Sequence, residues 1–529
     1  MYKKWIVLLG IVAVTTASAQ TISNSKGETK EQIKKREEDE AKKKKEEAEK
    51  TADNEKELKE KLEKQNTSKK EKEGTEETSV ISISPDAVPK SKATAAPRLP
   101  KNYYWKKLSN GLEIVVIENS KVPLATIEIA VRNGAYTEGP EYSGLSHLFE
   151  HMFFKANKDY PDQEKFIKRT EELGMIWNGT TNVERVNYYF TFDKDSLNAG
   201  LRFMNAAIRY PIYRAEDMKK ERPVVDGEFQ RAESDPGFQM WLEVQKKTWG
   251  DLVTRKNPIG DHDVINTATP EKMMIIKDKY YHPNNSLLVI CGDVNHDRAF
   301  AQAEAIFGDW KHSGFDPHEK YPIPAFKPLT STEYFIKESS IAQTPYEMFQ
   351  WIGPDFNTDS AGTIIADVFT TALGLNSSKW QQALIDKGLA TYAGLSYTTN
   401  KYAGPVSIFV VPNPTKLKEC NDEIKRQISM LGNADYFTDE QLATAKDIIR
   451  RNQIRSTEKP SSLASQVTYQ WCSTSLSYYT DYTDACMKVT KQQLQEYANK
   501  YLVNKPYVAG MIISSEMNKQ LNPGEYFKK

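Results

Sequence analysis

The stretch His147-Leu148-Phe149-Glu150-His151 sets two imidazoles one helical turn apart, with a carboxylate next to the second. If the segment is helical, His147 and His151 lie at i and i+4 on one face, close enough to share a metal ion. Glu150 lies alongside, where it can take a proton from a metal-bound water. The order H-x-x-E-H is the inverse of the commoner H-E-x-x-H. Two buried, hydrogen-bonded structural histidines are the alternative.

A catalytic zinc site usually takes three protein ligands and leaves a fourth position for water. Glu228 is the candidate third ligand, and it lies 77 residues after His151 in the segment E-R-P-V-V-D-G-E-F-Q. Glu221 opens that segment and lies seven residues before Glu228, two turns back on the same helical face. Pro223 lies between them and can kink the helix, so a solvated surface carboxylate is an equal alternative for Glu221.

The two motifs, their separation and the Val-Val pair before Glu228 resemble the M16 family of metallopeptidases (pitrilysin or insulinase type), in its bacterial short-chain form. The resemblance runs from about residue 103 to the end of the chain. Further segments support it at the expected places: Asn110-Gly111-Leu112, Gly144-Leu145-Ser146, Tyr281-His282-Pro283-Asn284-Asn285 and Gly292-Asp293-Val294.

The resemblance implies an α+β fold of two homologous α/β-sandwich halves, of the M16 or LuxS-like metallohydrolase type, that form a clam-like chamber. It implies one Zn²⁺ per chain, held by His147, His151 and Glu228, with Glu150 as the catalytic base. It also implies that Glu221 supports the site without binding the metal. The remaining histidines, including His262 and His282, are expected to be structural.

Substrate contact is expected at Asn178, Gly179 and Thr180, because the equivalent family segment is an edge strand to which the peptide adds. An ordinary turn residue is the alternative for Asn178. Many family members also carry an Arg and, seven positions later, a Tyr that face the substrate from the second half. This chain keeps Tyr392 but has Ile385 at the arginine position. A partner subunit that supplies the arginine is one explanation, and a Tyr392 that simply packs in a strand is the alternative.

An internal repeat divides the chain after the N-terminal region. A Thr-initiated helix ending in Lys-Tyr and followed by an apolar strand occurs at 269–290 and again at 490–513. Gly144-Leu145-Ser146 likewise has an echo in Gly374-Leu375-Asn376-Ser377-Ser378. Aligning these glycines puts Ser377, Trp380 and Gln381 at the positions of the zinc motif, so the second half is expected to hold no metal.

The N-terminus predicts export. Lys3 and Lys4 precede the apolar run 5–14, and Ala17-Ser18-Ala19 offers a cleavage site, which together read as a secretory signal peptide. An uncleaved membrane anchor is the alternative. The Lys/Glu-rich segment that follows has almost no large apolar residues and cannot bury a core, so it is expected to be a tether, coiled or helical.

The predicted organisation is therefore as follows: a signal peptide (1–19), a tether (20–97), a zinc-bearing domain (98–315), a linker (316–329) and an inactive second domain (330–529). The chain has 72 basic and 72 acidic residues, so no nucleic-acid partner is indicated. The four cysteines show no metal-binding spacing, and Cys472 with Cys486 is a possible disulfide.

The sequence thus predicts a secreted, periplasmic or envelope-associated zinc endopeptidase that hydrolyses peptides or small unfolded polypeptides. It is expected to form a homodimer or a heterodimer with a second M16 subunit and to have no membrane span once the signal is cleaved. The alternative is a non-catalytic zinc-binding or partner-binding subunit of an M16 heterodimer.

Overall fold

Two β-sheets, one of six strands and one of five, carry the fold. The computed structural model describes residue 97 and residues 99–528. The predicted signal peptide and almost all of the predicted tether lie outside the described residues. None of the helices in the described part combines the length and the apolar character of a membrane span.

The first half of the described chain holds the six-stranded sheet. Its strands are β1 (Tyr103–Lys107), β2 (Glu113–Glu118), β3 (Leu124–Val131), β4 (Ile176–Thr181), β5 (Val186–Asp193) and β6 (Ser286–Gly292). Its helices are α1 (Leu145–Phe153), α2 (Gln163–Glu172), α3 (Leu197–Arg209), α4 (Ala215–Glu233), α5 (Pro236–Trp249), α6 (His262–Asn266), α7 (Pro270–Tyr280), α8 (His296–Phe307) and α9 (Pro317–Lys320). The central strand β6 is buried throughout, as its continuous apolar sequence predicts.

The second half holds the five-stranded sheet. Its strands are β7 (Glu333–Glu338), β8 (Tyr346–Ile352), β9 (Ala390–Tyr397), β10 (Pro405–Pro412) and β11 (Val508–Ile513). Its helices are α10 (Phe356–Leu373), α11 (Lys379–Gln381), α12 (Leu417–Met430), α13 (Asp439–Ser456), α14 (Pro460–Ser473), α15 (Leu476–Lys488), α16 (Lys491–Tyr501) and α17 (Ser515–Leu521).

The two sheets repeat one topology. The strand orders are β1-β2-β6-β3-β5-β4 and β7-β11-β8-β10-β9. In the first sheet β2 runs parallel to β6, in the second β7 runs parallel to β11, and every other pair in the two sheets is antiparallel. Glu113 lies opposite Leu287 as Glu333 lies opposite Val508. The predicted α+β architecture of two similar halves is confirmed.

The alignment of the halves on Gly144 and Gly374 is wrong by one element. Between β3 and β4 the first long helix is α1, and between β8 and β9 it is α10, so these two helices correspond. Gly144 precedes α1, whereas Gly374 follows α10. The two similar glycine segments therefore lie at opposite ends of equivalent helices. The expectation that the second half holds no metal stays a prediction.

Each half lends a helix to the sheet of the other. Helix α5 lies on β8 and β11, and its counterpart α14 lies on β3 and β6. Both helices have proline at their first position, where the missing N–H costs no hydrogen bond. Trp471 of α14 is buried in the apolar cluster on the outer face of the first sheet, and the guanidinium of Arg132 lies 3.6 Å from the centre of its ring.

Buried polar contacts add to this exchange. Nη1 of Arg185 donates to the carbonyl of Ser465 (2.7 Å) and to Oγ1 of Thr468 (2.8 Å). Oγ1 of Thr468 donates in turn to Oε1 of Glu128 (2.5 Å), whose pKa is raised to about 7 by burial. Nζ of Lys256 donates to the carbonyl of Ala403 (2.8 Å). The two halves are therefore joined through apolar and polar contacts, while the clam-like chamber stays a prediction.

The four cysteines are free and buried, which corrects the possible Cys472–Cys486 disulfide. Cys472 lies in the cluster between α14 and the first sheet, where its thiol contacts the carbonyl of Val131. Cys486 lies in the separate core of the second half. The two thiols belong to different apolar clusters and do not pair. Each cysteine is buried as a small side chain of its own cluster.

Candidate metal centre

Helix α1 presents both histidines on one face. It follows Gly144, and the carboxylate of Glu138 accepts hydrogen bonds from the backbone N–H groups of Gly144 (2.7 Å) and Ser146 (2.6 Å). The opposite face, which includes Leu148 and Met152, is buried in the core. With this face fixed, His147 and His151 turn toward α4, and their ring centres lie 4.9 Å apart. The predicted helical i and i+4 arrangement is present.

Helix α4 brings Glu228 to the two histidines. Oε2 of Glu228 lies 3.5 Å from Nε2 of His147 and 3.7 Å from Nε2 of His151. One potential ligand atom from each residue lies within 4.8 Å of the other two. Oε2 of Glu228 is buried and has no hydrogen-bond partner in the described residues. Two imidazoles and one carboxylate are a donor set that suits zinc with an open fourth position, so these residues fit the metal.

Glu221 lies behind His151. Its Oε1 is 2.9 Å from Nδ1 of His151, and its Oε2 is 2.5 Å from Nζ of Lys155. Burial would raise the pKa of Glu221, but these two contacts outweigh it and lower the pKa. Glu221 is only 6 % exposed, which is unlike a solvated surface carboxylate, and α4 continues through Pro223. A carboxylate that holds Nδ1–H turns the Nε2 lone pair toward the metal position.

The protonation of the two histidines differs because their surroundings differ. Burial lowers the pKa of His147 to about 3. Burial also opposes protonation of His151, but its hydrogen bond with Glu221 and the nearby carboxylate of Glu228 outweigh it and raise the pKa to about 10. His151 is therefore the more basic of the two imidazoles.

Glu150 is buried beside the histidines and is held by strand β4. Its Oε2 accepts a hydrogen bond from Oγ1 of Thr181 (2.8 Å), and burial raises its pKa to about 7. A Cβ at Gly179 would lie 2.7 Å from both Cγ and Oε1 of Glu150. The strand can therefore approach the carboxylate this closely only with glycine at this position.

Among the described strands, β4 is the edge of the first sheet and pairs only with β5. Because side chains alternate along a strand, Gly179 and Thr181 face α1, whereas Asn178 and Thr180 face the opposite side of the sheet. Oδ1 of Asn178 accepts a hydrogen bond from the backbone N–H of Gly179 (3.0 Å). Of the three predicted substrate-binding residues, only Gly179 touches Glu150.

Among the described residues, no hydrogen bond or ring contact joins Tyr392 to this cluster. It lies on β9, the edge strand of the second sheet, with 41 % of its surface exposed. Its ring lies 6.1 Å from that of Phe409, and in the described residues its hydroxyl has no hydrogen-bond partner. Ile385 packs against the core of the second half. The structure thus gathers the predicted ligands with Glu150 and Glu221, while the role of Tyr392 stays a prediction.

Three contributors were not expected from the sequence. Lys155 follows His151 by one helical turn, so its closeness to Glu221 had a signal in the spacing. Thr181 adjoins the predicted substrate segment but was not assigned to Glu150. His262, which was expected to be structural, contacts α4 on both sides of Glu228 through Asp226 and Glu233. No sequence pattern signals that contact, because it joins separate helices.

The fold and the site together define a two-half metallopeptidase architecture, and the comparisons with known proteins agree. The family model described as Insulinase (Peptidase family M16) matches residues 114–252, and the one described as Peptidase M16 inactive domain matches residues 267–449. The chain belongs to the M16 peptidase family.

Relatives and solved structures show the same likeness. An uncharacterized zinc protease of Rickettsia felis is 24 % identical over 366 residues, covering 68 % of this chain and 85 % of that protein. Zinc protease PqqE of Helicobacter pylori is 21 % identical over 402 residues, covering 74 % and 89 %.

Among solved structures, a protease from Helicobacter pylori superimposes with a TM-score of 0.71 at 20 % identity, over 79 % of this chain and 99 % of that one. The periplasmic protease PqqL from Escherichia coli gives a TM-score of 0.65 at 16 % identity, over 82 % of this chain and 51 % of that one. These likenesses extend over both sheets of the described fold.

Proposed function

We propose that the chain is a zinc-dependent endopeptidase that hydrolyses peptides or small unfolded polypeptides. The observation that carries the proposal is the convergence of His147, His151 and Glu228, with ligand atoms within 4.8 Å of one another. The buried carboxyl of Glu150 lies on α1, the helix that carries both histidines. Relatives named as zinc proteases support the choice of metal. One Zn²⁺ per chain is held by the three ligand residues.

Bound zinc supplies a Lewis acid that polarises the scissile carbonyl and lowers the pKa of its water. Glu150 accepts the proton of the attacking water and donates it to the leaving amine. Thr181 holds one oxygen of Glu150, and this hydrogen bond keeps the carboxylate turned toward the reacting atoms. Glu221 and Lys155 orient His151.

The substrate adds to the free edge of β4 as a further strand, in the segment Asn178, Gly179 and Thr180. A strand that pairs on one side only offers its other backbone edge to an extended peptide. Recognition of this kind depends on the extended shape of the peptide more than on its sequence. An unfolded segment can adopt this extended form along its length, so peptides and unfolded segments are the proposed substrates.

The working enzyme is a homodimer or a heterodimer with a second M16 subunit. The presence of Ile385 where a cation is expected, and the exposed position of Tyr392, support a partner that completes the substrate site. The chain also spans 51 % of PqqL but 99 % of the Helicobacter structure, so PqqL carries about two such lengths in one chain.

The presence of Ile385 where a cation is expected also favours a second candidate function, a non-catalytic zinc-binding or partner-binding subunit of an M16 heterodimer. In that case the motif holds zinc without turnover, and a different chain performs catalysis.

The proposed location is the periplasm or the cell envelope. The signal peptide (1–19) directs export, and the tether (20–97) follows it in the sequence. PqqL from Escherichia coli is a periplasmic protease, which supports this location.

The test is cleavage of a quenched-fluorescent peptide library by the purified chain, before and after removal of metal with a chelator and after return of Zn²⁺. Cleavage that is lost with the chelator and regained with zinc supports the endopeptidase. Stoichiometric zinc without cleavage by the chain alone supports the non-catalytic subunit, or an obligate partner.

A further inference from the structure

Helix α4 carries a metal ligand on a stretch with weak helical character. Pro223 removes one backbone hydrogen bond from the helix, and Gly227 directly precedes Glu228. Among the described residues, no atom other than those of its chain neighbours and of the nearby helix backbone lies within 4 Å of the place where a Cβ on Gly227 would be, so Gly227 adds no side-chain packing to this turn. Contacts that reach this part of α4 from other elements therefore help to hold Glu228.

His262, the first residue of α6, provides such contacts on both sides of Glu228. Its Nδ1 lies 2.5 Å from Oδ1 of Asp226, and its Nε2 lies 3.1 Å from Oε2 of Glu233. Its ring stacks on Phe229, with centres 3.9 Å apart and planes 7° from parallel. One imidazole thus engages α4 at three positions that bracket the ligand.

The far end of α6 repeats the attachment. Nδ2 of Asn266 donates to Oδ1 of Asp226 (3.2 Å), and Nη1 of Arg222 donates to the carbonyl of Asn266 (2.7 Å). Both ends of this short helix are therefore tied to α4.

The segment that leads into α6 is tied to the histidine helix instead. A Cβ at Gly144, the residue before α1, would lie 2.7 Å from Cα of Gly260, and both glycines have positive φ. The backbone N–H of Asp261 donates to the carbonyl of Ser143 (3.4 Å). Residues 260–266 consequently connect the start of α1, which carries His147 and His151, with the part of α4 that carries Glu228.

We propose that His262 is a positioning residue that sets the distance between Glu228 and the two zinc-binding histidines through this connection. The proposal rests on the proposed zinc site. Its consequence is that loss of the His262 contacts loosens zinc binding although no ligand changes. His262 touches neither the ligands nor the substrate position, so it is not a catalytic residue.

His296 offers a matched control. It is likewise the first residue of a helix, α8, and its Nδ1 lies 2.8 Å from Oε1 of Glu118. Its ring stacks on Tyr104 with centres 3.6 Å apart and planes 1° from parallel. His296→Ala therefore removes the same kinds of contact as His262→Ala, but it removes them from elements that carry no metal ligand.

The experiment measures the zinc dissociation constant of the full chain by competition with a chromophoric chelator, and the denaturant unfolding of the metal-free protein. Metal-free His262→Ala and His296→Ala should lose similar stability. Only His262→Ala should bind zinc more weakly, by roughly tenfold, which is the low end for losing a group that orients a ligand. The absorption of the cobalt-loaded protein should change only in that variant.

Zinc affinity of His262→Ala equal to that of the wild type overturns the proposal, and so does an equal loss in His296→Ala. If His262→Ala does not fold, His262→Gln is judged by the same criterion. A wild-type chain that binds no zinc overturns the proposed function as well. If the wild-type chain binds zinc and His262→Ala binds it equally tightly, only the role of His262 is overturned.

Discussion

Oε1 of Glu221 lies 2.9 Å from Nδ1 of His151, so a carboxylate outside the proposed ligand set contacts the imidazole of a proposed zinc ligand. The other oxygen of Glu221 contacts Lys155, which keeps the carboxylate charged and fixed. The site therefore includes a second layer of residues that depends on α1 and α4 holding their relative positions.

Glu221→Gln should weaken zinc binding by roughly tenfold to a hundredfold, because the neutral amide loses its pairing with Lys155 and its hold on His151. The measurement is chelator competition on the metal-free protein. Glu216→Gln, an exposed carboxyl on the same helix, is the control. Equal zinc affinities in the two variants would show that Glu221 does not orient the ligand.

Gly179→Ala should displace Glu150, since the added Cβ would lie 2.7 Å from its Cγ and Oε1. A shift of this carboxylate by about 1 Å should lower kcat/KM for peptide cleavage by roughly a hundredfold, while zinc content stays unchanged. Gly524→Ala is the control, because nothing lies within 4 Å of a Cβ there. Unchanged cleavage by Gly179→Ala would count against the role of Glu150.

Glu347 on β8 should make stability fall as pH rises. Burial raises the pKa of Glu347 to about 8, although Nδ2 of Asn421 donates to it (3.2 Å). The unfolded chain releases this proton above the ordinary pKa of 4.5, whereas the folded chain keeps it until about 8. Between these values the unfolded state binds fewer protons, so the free energy of unfolding decreases, by up to about 1.4 kcal/mol per pH unit.

The check is denaturant unfolding at a series of pH values. Glu347→Gln should remove this component, so the variant gains on the wild type as pH rises from 5 to about 8. Glu419→Gln, an exposed carboxyl on α12, should leave the wild-type pH dependence in place. Parallel curves for the wild type and Glu347→Gln would contradict the expected titration.

Trp471→Ala should lower the free energy of unfolding by about 3–5 kcal/mol, because it leaves a cavity between α14 and the first sheet. Ile454→Ala, at an exposed position on α13, should change it by less than about 0.5 kcal/mol. A small effect of Trp471→Ala would mean that the helix exchange contributes little to stability.

Local patterns predicted the site best. The i and i+4 spacing of His147 and His151 is enough to place both on one helical face, and the edge position of β4 agrees with the expectation for residues 178–180. Glu228 lies 77 residues from the motif, so only the family resemblance joined it to the histidines.

What sequence reasoning missed depends on contacts between distant segments. His262 lies 36 residues after Asp226 and 29 residues after Glu233 in the sequence, and no periodicity encodes such contacts. The glycine alignment of the two halves failed because a Gly-Leu pair can either start or end a helix. Helices α5 and α14 each pack on the sheet of the other half, and no sequence motif signals this packing.

The most direct test of the central claim is the activity of Glu150→Gln with its zinc content measured in the same sample. The variant should keep one zinc per chain, since Glu150 is not a proposed ligand, and its kcat/KM for peptide cleavage should fall by roughly a hundredfold to ten-thousandfold. Retained cleavage by the zinc-loaded variant would contradict the assignment of Glu150 as the base.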